Sequence, residues 1–456
     1  MRQKKEGVST LFEKIMYSLG DIGANFCWSF MGGFVTLYYT DSVGIAAGFA
    51  GTMMLVARVL DGITDIITGF IMERVHSRWG KARPWLMLSA PLLGISLFLS
   101  FHVPGGLSYT GKLIWVSVTY TFTAAVSFTL YNMAFTALLP LMSLDSQDRG
   151  TISVMNRICT MSGVLCLNVV TPLLLAFGGG EKAQGAWSLI SVLYAVICAV
   201  LVFCMGFFIQ EKVPAETFSN KKGDAQNKFS TRETLKAVIF NKYFVLILIT
   251  FIIVYLFQGL QGTAIYYYRD VLGDMKLYST MSIVTYLPMI IGMFFVPFLF
   301  KKIGRRNAAM CGMAVACVAD IVMYLTTPNI PVFCVMKCIE GFGRAPVSAS
   351  IFTFVADLVD YIVAKRGMHA EGYIAMVSSV GNKIGTGLGS AAIGWGLAWT
   401  GYNAGLDVQS QATQGGITFL MAGLPAIIAG IQVVVFALWD MEKKKAELEG
   451  GGNEVL

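Results

Sequence analysis

The stretch that decides the fold is Arg58–Pro84, which reads RVLDGITDIITGFIMERVHSRWGKARP. Its first half continues an apolar run that begins near Ile45, and such a run predicts a helix that crosses a membrane. Asp61 and Asp65 lie inside this run, although a carboxylate at the centre of a spanning helix costs about 2.5–3.5 kcal/mol. The segment RWGKAR in the second half is a basic turn that cannot enter lipid. The stretch therefore predicts a charged binding site within the membrane, followed by a cytosolic anchor.

The composition of the whole chain is that of a polytopic membrane protein. Of its 456 residues, 55% are hydrophobic and 13% are charged, and the mean hydropathy is +0.65. Soluble domains carry about 25% charged residues. Long continuous apolar runs predict helices rather than the alternating segments of about 10 residues that build a β-barrel. The polar start MRQKKEGVSTLFEK precedes a full-length span without a convincing cleavage site, so we do not interpret it as a signal peptide.

We therefore predict an all-α membrane protein with twelve transmembrane helices in two six-helix halves. The predicted spans are residues 15–39, 45–72, 84–103, 112–142, 151–177, 186–209, 240–268, 277–300, 308–327, 331–361, 372–399 and 416–440. The polar segment 210–236 separates a first half, 1–209, from a second half, 237–445, which precedes a tail, 446–456. RWGKAR after the second span resembles KIGRRN after the eighth span. A weak repeat with a central linker is the layout of major-facilitator transporters, whose substrate site lies between the halves.

The distribution of basic residues predicts the orientation of the chain in the membrane. Of the 34 basic residues, 25 fall on the side of the termini and the central linker, whereas only Lys112, Lys182, Arg269 and Lys276 fall on the other side. The positive-inside rule places both termini in the cytoplasm, in a multi-pass protein of the inner (plasma) membrane. The net charge of +7 is thus explained by loops at the membrane surface, and we expect no nucleic-acid partner.

Asp61 and Asp65 are the residues in the spans that most strongly indicate function. A spacing of four places them on one helix face, with Cβ atoms about 5–6 Å apart. Two carboxylates at this distance repel each other unless a proton, a metal ion or a basic side chain lies between them. Three interpretations remain open: a cation site, a salt-bridge hub with Arg157 or Lys383, and a proton relay.

Other polar residues inside the spans have structural as well as functional interpretations. In FTLYNMAFTALLP, residues 128–140, the hydroxyl of Thr129 could bind a small cation or form a hydrogen bond between helices. Lys337, Glu340 and Arg344 lie three and four residues apart, which predicts a salt-bridged cluster. Asp357 and Asp360 lie near the cytosolic end of the tenth span and predict a gate or helix-end pair, whereas we assign no role to Asp320.

Six motifs in the same order resemble the glycoside–pentoside–hexuronide cation symporters, a family of the major facilitator superfamily. They are YSLGDIGANF (17–26), FVTLYYTDSVG (34–44), VARVLDGITDIITG (56–69) with SRWGKARPW (77–85), YNMAFTALLP (131–140), VADLVDYIVAKRGMHAEGY (355–373) and GNKIGTGLGSAAIGWGLAWTGY (381–402). The resemblance runs along essentially the whole chain. It implies that Asp61, Asp65 and Thr129 bind the coupling cation, and that Arg157 and Lys383 face the sugar and cation sites.

The departures from this resemblance bear on the substrate. The melibiose carrier of this family has aspartates where this chain has Asn25 and Asn132, and tryptophans where it has Thr136 and Ser348. The glucuronide and xyloside branch is more similar, at Asp21, at Asn132 and in the run 268–272. Amides form hydrogen bonds with sugar hydroxyls in either direction, and two neutral amides tolerate a substrate carboxylate better than two anions. The predicted substrate-binding residues are Asp21, Asn25, Asn132, Arg157 and Lys383. Phe128 and Tyr131 are added to this set as rings that could stack on the sugar, and lipid-facing or core packing is the alternative interpretation for each.

The sequence thus predicts a monomeric cation-coupled symporter that imports a glycoside, with a glucuronide or a xyloside as the expected substrate. Its partners would be the glycoside, Na⁺ or H⁺ as the coupling ion and the lipid bilayer, without a cofactor. A predicted cytosolic gate comprises Arg78, Lys81, Arg83, Arg305, Arg306, Asp357 and Asp360. The rival hypotheses are an uncoupled sugar facilitator and a non-transporting sensor. We expect no enzyme, because the nine cysteines lack metal-ligand spacing and the three histidines belong to no nucleophile–base set.

Overall fold

The computed structural model describes residues 9–75, 77–143, 145–212, 239–366, 371–406 and 408–441. Most of the predicted linker, the predicted tail, and the side chain of Asp360 lie outside the described residues. The described residues form helices and no strand. The helices are α1 (Leu11–Leu37), α2 (Ala47–Arg74), α3 (Arg83–Ser100), α4 (Tyr109–Phe122), α5 (Phe128–Met142), α6 (Ser146–Phe177), α7 (Gln184–Phe208), α8 (Lys242–Gly259), α9 (Thr263–Tyr266), α10 (Leu277–Ile303), α11 (Arg305–Thr326), α12 (Ile330–Arg366), α13 (Glu371–Trp399), α14 (Gln411–Thr418) and α15 (Leu424–Ala437).

The all-α prediction is confirmed, and nine helical segments of the described chain are long and apolar enough to cross a membrane. Several of these segments contain two helices joined by a 3₁₀ or π-helical turn. Tyr109–Met142 contains α4 and α5, and Lys242–Val271 contains α8 and α9. Three more helices, α1, α2 and α13, have 27, 28 and 29 residues but carry more polar side chains. A length of about 20 residues is enough to span a bilayer. The count of twelve spans stays a prediction.

The internal repeat is visible in the backbone at two places. The sequence LYYTDSVG at 37–44 resembles YYYRDVLG at 266–273, and each contains a π-helical turn, at Tyr38–Ser42 and at Tyr267–Val271. Each turn is followed by a glycine with positive φ, which is 80° at Gly44 and 78° at Gly273. The two basic turns also contain such a glycine, with φ of 112° at Gly80 and 80° at Gly304. Only glycine adopts these angles without steric cost.

The chain folds into two compact units that cut across the two sequence halves. The first comprises Met1–Lys221, Gln261–Ile283 and Ser390–Ile417, and the second comprises Lys222–Leu260, Val284–Gly389 and Thr418–Leu456. The first unit has an aromatic core that contains Phe30, Phe101 and Trp187. The second has an apolar core that contains Phe354 and Trp439. The predicted division into six plus six helices stays a prediction.

Close helix packing explains why part of the second half belongs to the first unit. A side chain at Gly51 of α2 would lie 2.9 Å from the carbonyl oxygen of Ala391 and 3.0 Å from the Cα of Gly394, both in α13. Small residues allow helix backbones to approach this closely in membranes. Similarly, a side chain at Gly262 would lie 3.1 Å from the carbonyl oxygen of Gly32 in α1. The glycines therefore bring the part of α13 from Ser390 onward, and the segment before α9, against α1 and α2.

Candidate cation and substrate site

The candidate cation site lies between α2 and α5 in the first unit. Asp61 is 7% exposed and Thr129 is 1% exposed. The Thr129 hydroxyl donates a hydrogen bond to Oδ1 of Asp61 at 2.7 Å. Thr129 follows a π-helical turn, Thr123–Ser127, against which α2 packs. Such turns interrupt the regular register of a helix and are frequent at functional sites.

Arg58 lies beside the same carboxylate, one helical turn before Asp61. Its Nη1 is 3.8 Å from Oδ2 of Asp61, which is an ion-pair distance rather than a hydrogen bond. The guanidinium lies over the ring of Trp28, 3.9 Å from its centroid, and Trp28 stacks on Phe128 with centroids 4.2 Å apart. A cation over an indole face is attracted by the ring quadrupole. Trp28 therefore supports Arg58 from α1, and Phe128 supports Trp28 from α5.

The ligand types of this group are those that a small cation prefers. Arg58 and the two carboxylates, Asp61 and Asp65, lie within two helical turns of α2. Asp65 is half-buried, one helical turn after Asp61. Oxygen ligands from carboxylates and a hydroxyl suit a hard cation or a proton. Within the described residues, no group of three or more His, Cys, Asp or Glu could hold a metal ion.

A second polar network connects α1, α5 and α6 around Asp21, which is 7% exposed. Oδ1 of Asp21 accepts hydrogen bonds from the hydroxyl of Tyr131 and from Nδ2 of Asn25, both at 3.0 Å. Oδ2 accepts from Nδ2 of Asn156 at 2.9 Å and from the hydroxyl of Thr160 at 2.6 Å. The structure thus brings three predicted substrate residues together and adds two residues of α6 that the sequence analysis did not single out.

The other predicted substrate residues of the first unit have different environments. Asn132 and Arg157 are exposed on helices that we assign to the membrane. Arg157 makes no ion pair within the described chain, so the structure gives no support to a salt-bridge hub between it and Asp61. A charged side chain in a spanning helix generally faces a water-filled cavity or the interior of the bundle. Tyr131 is 1% exposed and stacks on Phe135, so its ring contributes to packing in this structure.

Lys383 belongs to the second unit, where it lies half-buried on α13.

The second unit contains a cluster of buried charges. Nζ of Lys337 lies 2.6 Å from Glu340, and Nε of Arg344 lies 2.8 Å from the same carboxylate, as the spacing predicted. Arg344 also binds Asp320 of α11 at 2.8 Å, which gives Asp320 a partner that the sequence did not indicate. The guanidinium of Arg344 lies 3.6 Å from the centroid of the Phe257 ring.

The predicted gate residues of the basic turns make contacts within their own units. Arg83 donates to two carbonyl oxygens in the last turn of α7, at 3.0 and 2.8 Å. Arg306 donates in the same way to two carbonyl oxygens at the end of α15, at 2.9 and 2.6 Å. Basic side chains stabilise helix C-termini by satisfying free carbonyl groups and interacting with the helix dipole. The two arginines thus cap equivalent helices of the two halves.

The remaining gate residues differ in their contacts. Arg305 and Asp357 form an ion pair at 3.1 Å in the second unit. Arg78 is exposed on the turn before α3. The backbone N–H of Lys81 donates to the carboxylate of Glu211 at 2.8 Å. The predicted role of these residues in a cytosolic gate stays a prediction.

Glu211 anchors the first basic turn and was not singled out in the sequence. Its carboxylate accepts hydrogen bonds from the successive backbone N–H groups of Lys81, Ala82 and Arg83, at 2.8, 2.8 and 3.1 Å. These groups lie at the N-terminus of α3, where a helix favours negative charge. Glu211 also fills the space in which a side chain at Gly80 would lie.

A further ionic cluster joins the two π-helical turns of the repeat, Tyr38–Ser42 and Tyr267–Val271. Both turns lie at one end of the first unit, and we predict that this end faces outward. Arg269 lies 2.6 Å from Asp41 and 2.8 Å from Asp270. The hydroxyl of Tyr402 lies 2.8 Å from Asp41 and accepts a hydrogen bond from Arg269. Burial raises the pKa of Tyr402, and the nearby Asp41 carboxylate raises it further. Tyr402 therefore stays protonated and donates to Asp41.

Comparison with known proteins gives matches along nearly the whole chain. The family described as MFS/sugar transport protein matches residues 16–443. The isoprimeverose transporter of Lactiplantibacillus pentosus is 30% identical over 440 residues, which cover 94% of this chain and 89% of that protein. The inner membrane symporter YicJ of Escherichia coli is 29% identical, with 94% and 92% covered. The glucuronide carrier protein homolog of Escherichia coli is 25% identical, again with 94% and 92% covered.

Solved structures of transporters have the same fold. The D-xylose-proton symporter superposes with a TM-score of 0.68 at 13% identity, covering 95% of this chain and 98% of that chain. The nucleoside transporter NupG superposes with a TM-score of 0.61 at 13% identity, with 93% and 99% covered. At this level of identity the likeness concerns the fold.

Proposed function

Because the chain belongs to the MFS/sugar transport protein family, we propose that it is a cation-coupled symporter that imports a glycoside by alternating access. The observation that carries the coupling is the hydrogen bond from Thr129 to Asp61, which assembles one hydroxyl and one carboxylate beside Asp65. These are the three residues that the resemblance to cation symporters selects. The site lies in the inner membrane, as the name of the relative YicJ suggests for that protein, with both termini in the cytoplasm.

Coupling follows from the repulsion between the two carboxylates, which lie one helical turn apart on α2. A monovalent cation near Asp61 and Asp65 would remove their mutual repulsion and order α2 against α5. Phe128 directly precedes Thr129 and contacts Trp28 of α1, the helix that also carries Asp21 and Asn25. Cation binding would thereby favour the conformation that binds sugar. The linkage is reciprocal, so that sugar must also tighten cation binding.

The proposed substrate is a glycoside, with a glucuronide and a xyloside as the two candidates. Relatives of both kinds match this chain, since one is named an isoprimeverose transporter and another a glucuronide carrier homolog. Isoprimeverose is itself a xyloside. The amides of Asn25 and Asn132 suit sugar hydroxyls, and the exposed Arg157 offers a positive charge.

Uptake into proteoliposomes tests the proposal. Labelled isoprimeverose, xylosides, glucuronides and galactosides are offered with an imposed Na⁺ gradient or an imposed H⁺ gradient. We expect one class of glycoside to accumulate above equilibrium with one of the two gradients. Asp61→Asn and Asp65→Asn should abolish the accumulation, whereas Ser162→Ala, on an exposed face of α6, should preserve it. Equilibration without accumulation under both gradients would show an uncoupled facilitator, and binding without any uptake would show a sensor.

A further inference from the structure

Asp21 has no free hydrogen-bonding capacity for a substrate. A carboxylate offers about four lone-pair positions. All four are occupied by donors of this chain, which are the side chains of Asn25, Tyr131, Asn156 and Thr160. The four donors come from α1, α5 and α6, and Asp21 itself lies in α1. Its role in this structure is therefore to hold other side chains in place.

Asp21 fixes the orientation of two amides. Nδ2 of Asn25 lies 2.8 Å from the backbone carbonyl of Asp21 and 3.0 Å from its carboxylate. Nδ2 of Asn156 lies 2.9 Å from the other carboxylate oxygen. Rotation of either amide by half a turn would place its carbonyl oxygen against these acceptors, which is repulsive. Both asparagines must therefore direct their carbonyl oxygens away from Asp21.

The carbonyl oxygen of Asn156 is left without a donor. It is buried and accepts no hydrogen bond within the described part of the chain. Nearly all buried polar atoms in proteins have a partner, so such an exception requires an explanation. Asn156 directly precedes Arg157, the exposed cation of α6, and lies four residues before Thr160. A hydroxyl donor that enters beside Arg157 would satisfy the orphaned oxygen.

We infer that Asp21 is a positioning residue, that it presents the carbonyl oxygens of Asn25 and Asn156 to the sugar, and that Asn156 accepts a hydrogen bond from a substrate hydroxyl. The inference rests on the proposed function insofar as the ligand is a glycoside. Asn156 thereby joins the substrate site. The face of the site formed by α1 and α6 becomes a surface of acceptors.

A surface of acceptors distinguishes between the two candidate substrates. Sugar hydroxyls donate hydrogen bonds to it, whereas a carboxylate would meet two carbonyl oxygens and the negative charge of Asp21. The positive charge of Arg157 would offset part of this repulsion. The arrangement therefore selects a neutral glycoside, such as a xyloside, over a glucuronide. The two sugars differ at C5, which carries two hydrogens in a xyloside and a carboxylate in a glucuronide.

Equilibrium binding to the purified full-length protein tests the inference without any ion gradient. The probes are phenyl β-xyloside, its monodeoxy analogues and phenyl β-glucuronide. Wild type should bind the xyloside at least about tenfold more tightly than the glucuronide and than one of the deoxy analogues. Asn156→Leu should weaken xyloside binding about tenfold while that deoxy analogue binds as before. Asp21→Asn should reduce the preference for the xyloside over the glucuronide, because its amide no longer excludes a carboxylate.

The control is Ser162→Ala, on an exposed face of α6 where the hydroxyl binds only the carbonyl of Ile158. It should leave all affinities unchanged. An equal loss of affinity for all probes in Asn156→Leu would show a merely structural role and overturn the inference. Tighter binding of the glucuronide than of the xyloside by the wild-type protein would also overturn the inference. Absence of cation-driven accumulation, with this binding pattern intact, would overturn the proposed coupling and leave the inference standing.

Discussion

The guanidinium of Arg269 binds the carboxylate of Asp41 at 2.6 Å, across 228 positions of sequence. The two residues belong to the two copies of the repeated motif, LYYTDSVG and YYYRDVLG. Arg269 also binds Asp270, which is the counterpart of Asp41 in its own copy. Tyr402 contacts both Arg269 and Asp41. The two copies of the repeat are thus joined by an ionic contact at the end of the first unit predicted to face outward.

Asp41→Asn should weaken this outer contact. The pair is largely buried, and truncation of one member of such a pair costs about 2–5 kcal/mol. We expect a cysteine at Thr263, which is 1% exposed beside Tyr266, to react at least about tenfold faster with an impermeant maleimide added outside. The measurement uses a background without the nine native cysteines.

The double variant Asp41→Asn with Arg269→Gln provides the coupling energy between the two side chains. The exposed Lys276→Gln is the matched control and should leave the reaction rate unchanged. If Asp41→Asn and Lys276→Gln react alike, the ion pair does not protect position 263 from the reagent.

Thr129→Val should raise the cation concentration that gives half-maximal uptake by about tenfold. Valine has the shape of threonine but removes the hydroxyl that binds Asp61 at 2.7 Å, and one such hydrogen bond contributes about this factor. Sugar uptake at saturating cation should change little. Thr136→Val is the control, because the Thr136 hydroxyl binds only backbone carbonyls of its own helix. Equal cation dependence in the two variants would exclude Thr129 from the cation site.

Arg344→Leu should destabilise the protein strongly. It would leave the buried carboxylates of Asp320 and Glu340 with Lys337 as the remaining basic partner, and removal of one member of a buried charge cluster costs about 3–5 kcal/mol. Arg305→Leu removes the partly exposed pair with Asp357 and should cost about 0–1 kcal/mol. Thermal unfolding in detergent measures both. Comparable losses in the two variants would contradict the difference in burial.

Glu211→Ala should loosen the basic turn before α3. Three backbone N–H groups would lose a charged acceptor, and one hydrogen bond to a charged group contributes about 1.5–3 kcal/mol. We expect faster tryptic cleavage at Arg78 and Lys81 in inside-out vesicles. Glu211→Gln keeps one acceptor oxygen and should give an intermediate rate. Unchanged cleavage in Glu211→Ala would mean that Arg83 alone holds the turn.

Some features of the site could be predicted because they depend on local spacing. Lys337, Glu340 and Arg344 form the predicted cluster, since residues three and four apart on a helix are neighbours. The contact of Thr129 with Asp61 agrees with the resemblance to a known family rather than with any spacing, because it joins two helices across 68 residues of sequence. The family itself is confirmed by a match to residues 16–443.

Other features depend on packing between distant helices and left no local signal. Asp320 received no assignment, because its partner Arg344 lies on the next helix, 24 residues later. In the sequence, Asn156 is an ordinary polar residue in a spanning helix. The orientation of its amide follows from the hydrogen bond to Asp21, which only the structure shows. Arg269 was counted as one of the few basic residues of the outer side, whereas its binding to Asp41 requires the two repeats to meet.

Trp28 gives the protein an intrinsic optical probe of the cation site. Its indole lies 3.9 Å from the charge of Arg58, which in turn is paired with Asp61. The electric field of a charge at this distance shifts the emission wavelength of an indole. If Asp61 takes up a proton or a sodium ion, as we propose, the force on Arg58 changes, and with it the emission of Trp28. Cation binding at the proposed site should therefore change the fluorescence of Trp28 without an added label.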